Sequence, residues 1–120
     1  AVAQLNPFTL GTLRFFAPDP ERFPCLQLAL DAAAGGTTAC TVLNGANDVA
    51  VHAYLNDQLD FLDIPRVITQ TLAQHAAISH PALDDVLRID DWSRRAAHEL
   101  AMRFAEGRTA VRHSEGASLA

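Results

Sequence analysis

The sequence predicts an all-α protein: a small four-helix-bundle-like domain preceded by an extended linker with at most one short strand. Apolar residues recur at helical spacing in four segments, short links join these segments, and almost no stretch alternates as a strand does. Hydrophobic residues make up 49% of the 120 residues and charged residues 19%, which is typical of a folded chain with its own core.

Residues 1–22 are predicted to be an extended linker. The stretch "TLRFFAP" is short, partly aromatic and ended by Pro18, so it is either one strand or an extended segment. The prolines of the following "PDPERFP" hold the backbone extended or turned. Pro24 suits the first turn of a helix, where its missing N–H costs little.

Two helices are predicted in the first half of a bundle that spans 23–107. The first has an apolar stripe and ends at Gly35-Gly36. The residues of this stripe are Phe23, Leu26, Leu30 and Ala33. The second helix runs from about Thr38 to Asn56 and is apolar nearly all round, which predicts a helix buried on several sides.

Two further helices are predicted in the second half. The third has Asp63 as its N-cap and Pro65 in its first turn, and its stripe is Ile64, Val67, Ile68, Thr71 and Leu72. The connector "AAISHPALDDVLRI" is expected to hold only a short helical turn. Asp90 or Asp91 then caps the fourth helix, whose stripe is Ile89, Trp92, Ala96, Leu100 and Phe104. Periodicity is lost after Gly107, so 108–120 is predicted to be a flexible tail.

Charge and composition argue against several classes of partner. The formal net charge is −5 and there is no lysine, so neither nucleic acid nor an anionic membrane is expected to bind. No apolar run reaches the roughly 18–20 residues that span a bilayer. The N-terminus has no signal-peptide pattern and no methionine, which suggests a fragment or a processed chain. Cys25 and Cys40 are predicted to be thiols in a reducing cytoplasm, although a bridge between them stays open.

The residues alone predict no self-sufficient active site. No two of the five histidines have the spacing of a helical zinc site, and no glycine-rich loop is present. Asp84-Asp85 and Asp90-Asp91 are either helix caps with solvated neighbours, which the apolar period favours, or the carboxylates of a magnesium site or a hydrolase.

Asn44 and Asn47 lie three residues apart in an apolar segment and share a helix face. The favoured interpretation is architectural: each amide bonds backbone groups at a neighbouring helix end or in the "PDPERFP" turn, because an unsatisfied buried amide costs about 1–3 kcal/mol. Asn44 could instead be an N-cap that restarts the helix. Binding of a ligand is the remaining alternative.

Three stretches together resemble the C-terminal part of 1-deoxy-D-xylulose 5-phosphate reductoisomerase. They are "LRFFAPDPERFPCLQLA", "LNGANDVAVHAYL" and "DDVLRIDDWSR", and "FLDI" is similar to a fourth family segment. The signature positions expected to be structural are Pro18, Asp19, Arg22, Pro24, Asn44, Asn47, Asp90 and Arg94. Gly45 stands where the family usually has alanine and Asp48 where it has glutamate. Gly45 is expected to loosen the helix by up to about 1 kcal/mol.

The resemblance implies a larger parent enzyme. That enzyme converts 1-deoxy-D-xylulose 5-phosphate to 2-C-methyl-D-erythritol 4-phosphate with NADPH and Mg²⁺ or Mn²⁺, in the non-mevalonate route to isoprenoids. It is a cytoplasmic homodimer, and its cofactor, metal and phosphate residues precede this chain. The chain alone is therefore expected to be inactive, to bind neither cofactor nor metal, and to have the rest of the parent as its partner.

Two alternatives stay open beside this structural domain. One is a stand-alone helical interaction module that kept the fold. The other is a small enzyme or metal protein built on the aspartate cluster.

Overall fold

The computed structural model describes residues 6, 8, 9, 11–35 and 38–117, and from residue 109 onward it describes the backbone alone. The described residues form four helices: α1 (Pro24–Ala34), α2 (Ala39–Leu55), α3 (Asp63–Ala73) and α4 (Leu83–Ala117). No strand occurs among them, and residues 12–17 have no regular structure. The predicted all-α class is confirmed, and the strand that was allowed near residue 12 does not form.

The core lies where α2 packs against α3 and α4. Small side chains of α2 let its backbone approach its neighbours closely. The buried residues of this cluster are Ala46, Ala50, Ala53, Leu59, Ile64, Val67, Ile68, Ala97, Leu100 and Ala101. The stripe predicted for α3 is confirmed, with Leu72 half-buried. α2 is less enclosed than its composition predicted, since Cys40 and Leu55 on its outer side are exposed.

The first helix is rotated relative to the prediction. α1 buries Ala32 and half-buries Cys25, Leu28 and Ala29. The predicted stripe instead points outward: Phe23 is 53% exposed, Leu26 47% and Leu30 56%, and Ala33 is exposed as well. Periodicity could not choose between the two sides because both are apolar. α1 ends before Gly35 as predicted, and Gly36 lies outside the described residues.

The predicted N-cap of α3 is off by one residue. Leu62 occupies the cap position and Asp63 is the first helical residue. The Asp63 carboxylate accepts a 3.4 Å bond from the Asp60 N–H and pairs with Arg66 at 2.8 Å. Pro65 lies in the first turn, as expected.

The fourth helix begins earlier than predicted. α4 starts at Leu83, so Asp90 and Asp91 are interior residues and not caps. Asp84 and Asp85 occupy the first turn, where the helix dipole favours negative charge, and Asp85 accepts a 3.2 Å bond from the Ala82 N–H. The caps were misplaced because Leu83 and Leu87 are exposed and add nothing to the apolar period.

The backbone stays helical to Ala117, well beyond Gly107. Extending an existing helix needs no apolar stripe, since each added residue gains one hydrogen bond. Arg108 contacts the Asp60 carboxylate at 2.9 Å and also donates to the Asp57 carbonyl. The backbone of the predicted tail is therefore helical up to Ala117, the flexibility of 108–120 stays a prediction, and 118–120 lie outside the described residues.

Candidate functional site

A tight turn delivers the chain into α1. The Asp19 carboxylate accepts hydrogen bonds from the N–H groups of Glu21 (3.1 Å) and Arg22 (3.0 Å). The Asp19 carbonyl accepts a third bond from the Phe23 N–H at 2.9 Å. This arrangement is a side-chain-stabilised turn, and Pro24 follows it at the start of the helix. Arg22 lies over the Phe23 ring, 5.6 Å from its centroid. Asp19 and Pro24 thus fix the direction in which the preceding chain approaches the bundle.

Arg94 ties the two central helices together. Its Nε donates to Asp90 Oδ2 at 2.9 Å on α4, and its Nη1 donates to Asp48 Oδ2 at 2.5 Å on α2. The Arg94 hydrogen bond holds the pKa of Asp48 below its usual range, and the two carboxylates raise the pKa of Arg94. The Asp48 carboxylate thus reaches across from α2 to its partner on α4.

The backbones of α2 and α4 come closest at Gly45. A Cβ atom placed on Gly45 would lie 2.1 Å from Ser93 Oγ and 3.3 Å from Ser93 Cβ. Ser93 is fully buried, and its hydroxyl donates to the Asp90 carbonyl at 2.8 Å. Gly45 is therefore a packing requirement. No local pattern could reveal it, because its neighbour is far along the chain.

A buried polar contact anchors the connector between α3 and α4. The Thr38 hydroxyl lies 2.6 Å from His75 Nε2 and accepts a 3.2 Å bond from the Ile78 N–H. The His75 ring packs beside Trp92 with centroids 5.7 Å apart. Burial lowers the pKa of His75, which favours the neutral ring as acceptor of the Thr38 proton. Sequence reasoning treated His75 only as one of five histidines that lack the spacing of a zinc site, and it found none of these partners.

Asn44 and Asn47 are exposed, which corrects the expectation of buried amides. Neither side chain forms a hydrogen bond within the part of the chain that the structure describes. Asn44 is not an N-cap either, because α2 begins five residues earlier at Ala39. Asn44 lies on the outer side of α2, away from the core residues Ala46 and Ala50, and Asn47 lies at the edge of that side.

Asn47 borders a shallow cleft between α2 and the starts of α1 and α3. The cleft has a volume of about 240 Å³ and is almost entirely apolar. Its other lining residues are Arg22, Phe23, Pro24, Cys25, Val51, Phe61, Leu62, Ile64 and Pro65. Burial raises the pKa of the Cys25 thiol at the floor of this region. Cys25 and Cys40 are both thiols and form no disulfide.

Two acidic residues of α4 are paired with arginines of the same helix. Asp85 pairs with Arg88 at 3.1 Å, and Asp90 pairs with Arg94. Over residues 11–35 and 38–108, no three His, Cys, Asp or Glu side chains converge as metal ligands would. Within the described residues, no helix has the length and apolar character needed to cross a bilayer.

The fold and site define a helical accessory domain whose uncovered apolar surface is suited to packing against further protein. Residues 1–96 match the sequence profile of the DXP reductoisomerase C-terminal domain. The chain belongs to this family.

Individual relatives agree with this assignment. The 1-deoxy-D-xylulose 5-phosphate reductoisomerase of Synechococcus sp. (strain JA-2-3B'a(2-13)) is 43% identical over 99 residues, which are 82% of this chain and 25% of the relative. That of Desulfosudis oleivorans is 47% identical over 91 residues, or 76% of this chain and 24% of the relative. The chain thus spans about a quarter of the length of these relatives.

Solved structures share the fold. The Zymomonas mobilis 1-deoxy-D-xylulose 5-phosphate reductoisomerase in complex with NADPH superposes with a TM-score of 0.75 at 36% identity, covering 82% of this chain and 26% of that one. A DOX-P reductoisomerase with fosmidomycin and magnesium gives a TM-score of 0.71 at 34% identity, covering 88% and 29%.

Proposed function

We propose that this chain is the C-terminal structural domain of an NADPH- and metal-dependent reductoisomerase. The parent would convert 1-deoxy-D-xylulose 5-phosphate to 2-C-methyl-D-erythritol 4-phosphate, with Mg²⁺ or Mn²⁺, as a cytoplasmic homodimer. The observation that carries the proposal is the match to one quarter of enzymes that bear this name. The exposed stripe of α1 supports it, because such a surface is expected on a domain that packs against more protein.

The signature residues have architectural tasks in this proposal. Asp19 and Pro24 aim the incoming chain, and Asp90 and Arg94 hold α4 against α2 through Asp48. The domain supplies no ligand to the metal and no contact to NADPH. In the proposed parent, the metal and NADPH would supply the reduction chemistry. The described side chains of this chain would take no part in that reaction.

Steady-state assays test the proposal. The parent, given NADPH, Mg²⁺ and 1-deoxy-D-xylulose 5-phosphate, is expected to oxidise NADPH, and the 120-residue chain is expected neither to oxidise nor to bind it. A fluorescence titration of the chain with NADPH measures binding separately. Turnover by the pure chain would refute the structural role.

One observation favours a second candidate, a stand-alone interaction module. The exposed stripe of α1 is also the kind of surface to which a separate partner protein would bind. The two candidates differ in whether the natural gene product contains an upstream catalytic part.

A further inference from the structure

The exposed surface of α1 is one-sided. Phe23, Leu26 and Leu30 stand in a row on one flank, each about half exposed. The adjacent strip of the exposed side is polar, and there the Gln27 amide donates to the Asp31 carboxylate at 2.8 Å. Single exposed apolar residues are common on protein surfaces, but a continuous row of large ones marks an interaction site. We call Phe23, Leu26 and Leu30 the apolar flank.

The apolar flank continues into the cleft beside α2. Phe23 belongs to both, and across the cleft Phe61 is 58% exposed and Leu62 71% exposed. Asn47 adds an amide at the border that has no hydrogen-bond partner among the described residues. An apolar centre with a few polar groups at its edge is the usual composition of a protein–protein interface. The amide can donate to and accept from the backbone of a partner.

We infer that the apolar flank and the cleft are the surface on which the preceding part of the same polypeptide docks. The inference rests on the proposed function, in which about three quarters of the parent precede this chain. The Asp19 turn brings the incoming chain to Phe23, so the preceding part is tethered beside the flank. The stretch from residue 1 to Phe23 can span at most roughly 75 Å. Such a short tether gives a high effective concentration and favours docking of the attached protein over that of a separate one.

The linker carries matching apolar side chains. Leu13 is 62% exposed, Phe15 90% and Phe16 84%, and residues 11–19 have no regular structure. A segment that left these rings in water in the parent would lose the stabilisation that their burial provides. The linker and the apolar flank are therefore expected to contact the same preceding part of the polypeptide. The linker connects that part to α1, and the apolar flank is the surface on which it docks.

Side-chain footprinting by hydroxyl radicals tests the inference without a substitution. Phe23, Leu26 and Leu30 are about half exposed in the chain, so burial to below about a tenth in the parent predicts roughly fivefold slower modification. Met102 is the internal control. It is 52% exposed on α4, and α4 does not pack against α1. Equal modification of the flank in the chain and in the parent would overturn the inference.

A matched pair of double variants provides the second test. Leu26→Gln with Leu30→Gln alters the apolar flank, and Gln27→Ala with Asp31→Ala alters the adjacent polar strip of the same helix. The first pair is expected to leave the melting midpoint of the chain unchanged, to lower that of the parent by several degrees, and to speed tryptic cleavage after Arg14 in the parent. The second pair should change none of these.

Other outcomes separate the competing occupants. The inference is overturned if the wild-type chain dimerises, the double glutamine variant abolishes the dimer, and the same substitutions leave the melting midpoint and cleavage of the parent unchanged. The apolar flank would then be a surface for self-association. If the parent turns over substrate normally while its apolar flank is modified by hydroxyl radicals as fast as in the chain, the docking inference is refuted and the proposed function stands. A parent that shows a protected flank but no reductoisomerase activity refutes the proposed function and leaves the docking surface in place.

Discussion

Replacing Gly45 by alanine should destabilise the bundle, although alanine is the better helix former. The propensity gain in a helix interior is about 1 kcal/mol. Against it, the new methyl would meet Ser93 Oγ at 2.1 Å. If the hydroxyl rotates away, its bond to the Asp90 carbonyl is lost at about 0.5–1.5 kcal/mol. The 3.3 Å contact with Ser93 Cβ remains and forces the helices apart, and overpacking of this kind costs about 1–3 kcal/mol. Set against the gain in propensity, these losses leave a net destabilisation of about 0.5–3.5 kcal/mol.

A double-mutant cycle with Ser93→Ala isolates this contact. In the background that carries Ser93→Ala the hydroxyl is absent and only the 3.3 Å contact with Cβ remains, so Gly45→Ala should destabilise by about 0.5–1.5 kcal/mol less than it does in the wild-type background. The coupling between the two substitutions is then about 0.5–1.5 kcal/mol. Urea unfolding of the four proteins, followed by circular dichroism, measures it. Additive effects, or an alanine that stabilises equally in both backgrounds, would refute the packing account.

Three further predictions concern the polar side chains. Because burial lowers the pKa of His75, this imidazole binds a proton at a higher pH in the unfolded chain than in the folded one. The free energy of unfolding should therefore fall as the pH drops below the ordinary histidine value of about 6.5. His75→Gln should remove that slope from urea midpoints measured across this range, whereas the same change at exposed His98 should keep it. Because Asn47 is exposed, Asn47→Leu should leave the thermal midpoint of the chain unchanged or slightly raised, and a drop of several degrees would restore the buried-amide interpretation. The lowered pKa of Asp48 contributes stability at a pH above the ordinary aspartate pKa, and this stability is lost as the pH falls through the pKa of Asp48 in the folded chain. Arg94→Met should therefore weaken the fall of the urea midpoint at acid pH. An unchanged pH dependence in this variant would contradict the prediction.

The sequence predicted the helices of the core well because their packing faces are unambiguous. Ile64, Val67 and Ile68 form the only apolar side of α3, so their periodicity fixed both the helix and its orientation. α1 is apolar on two sides, and a period cannot tell which side meets α2 and which meets a neighbour outside the chain. The stripe of α1 that was predicted to be buried is the proposed docking surface. A domain considered without its neighbours is expected to expose apolar residues at such a surface.

The remaining errors have local causes. Asp90 and Asp91 imitate caps because they precede an apolar run, yet the helix had already begun at Leu83 with exposed residues. Asn44 and Asn47 were predicted to be buried because their neighbours in the sequence are apolar. Apolar neighbours are also expected around exposed residues of a helix surface that further protein covers. The contact between Gly45 and Ser93 depends on where two distant segments cross, and a single sequence does not contain that information.

The mass of the natural gene product tests the central claim most directly. A C-terminal domain that spans about a quarter of its relatives belongs to a polypeptide about four times as long. Intact mass spectrometry of the protein purified from its source, located by peptides from α2 and α4, should therefore find a species several times heavier than 12.9 kDa. A natural product of about 12.9 kDa would contradict the reductoisomerase account and leave the stand-alone interaction module in its place.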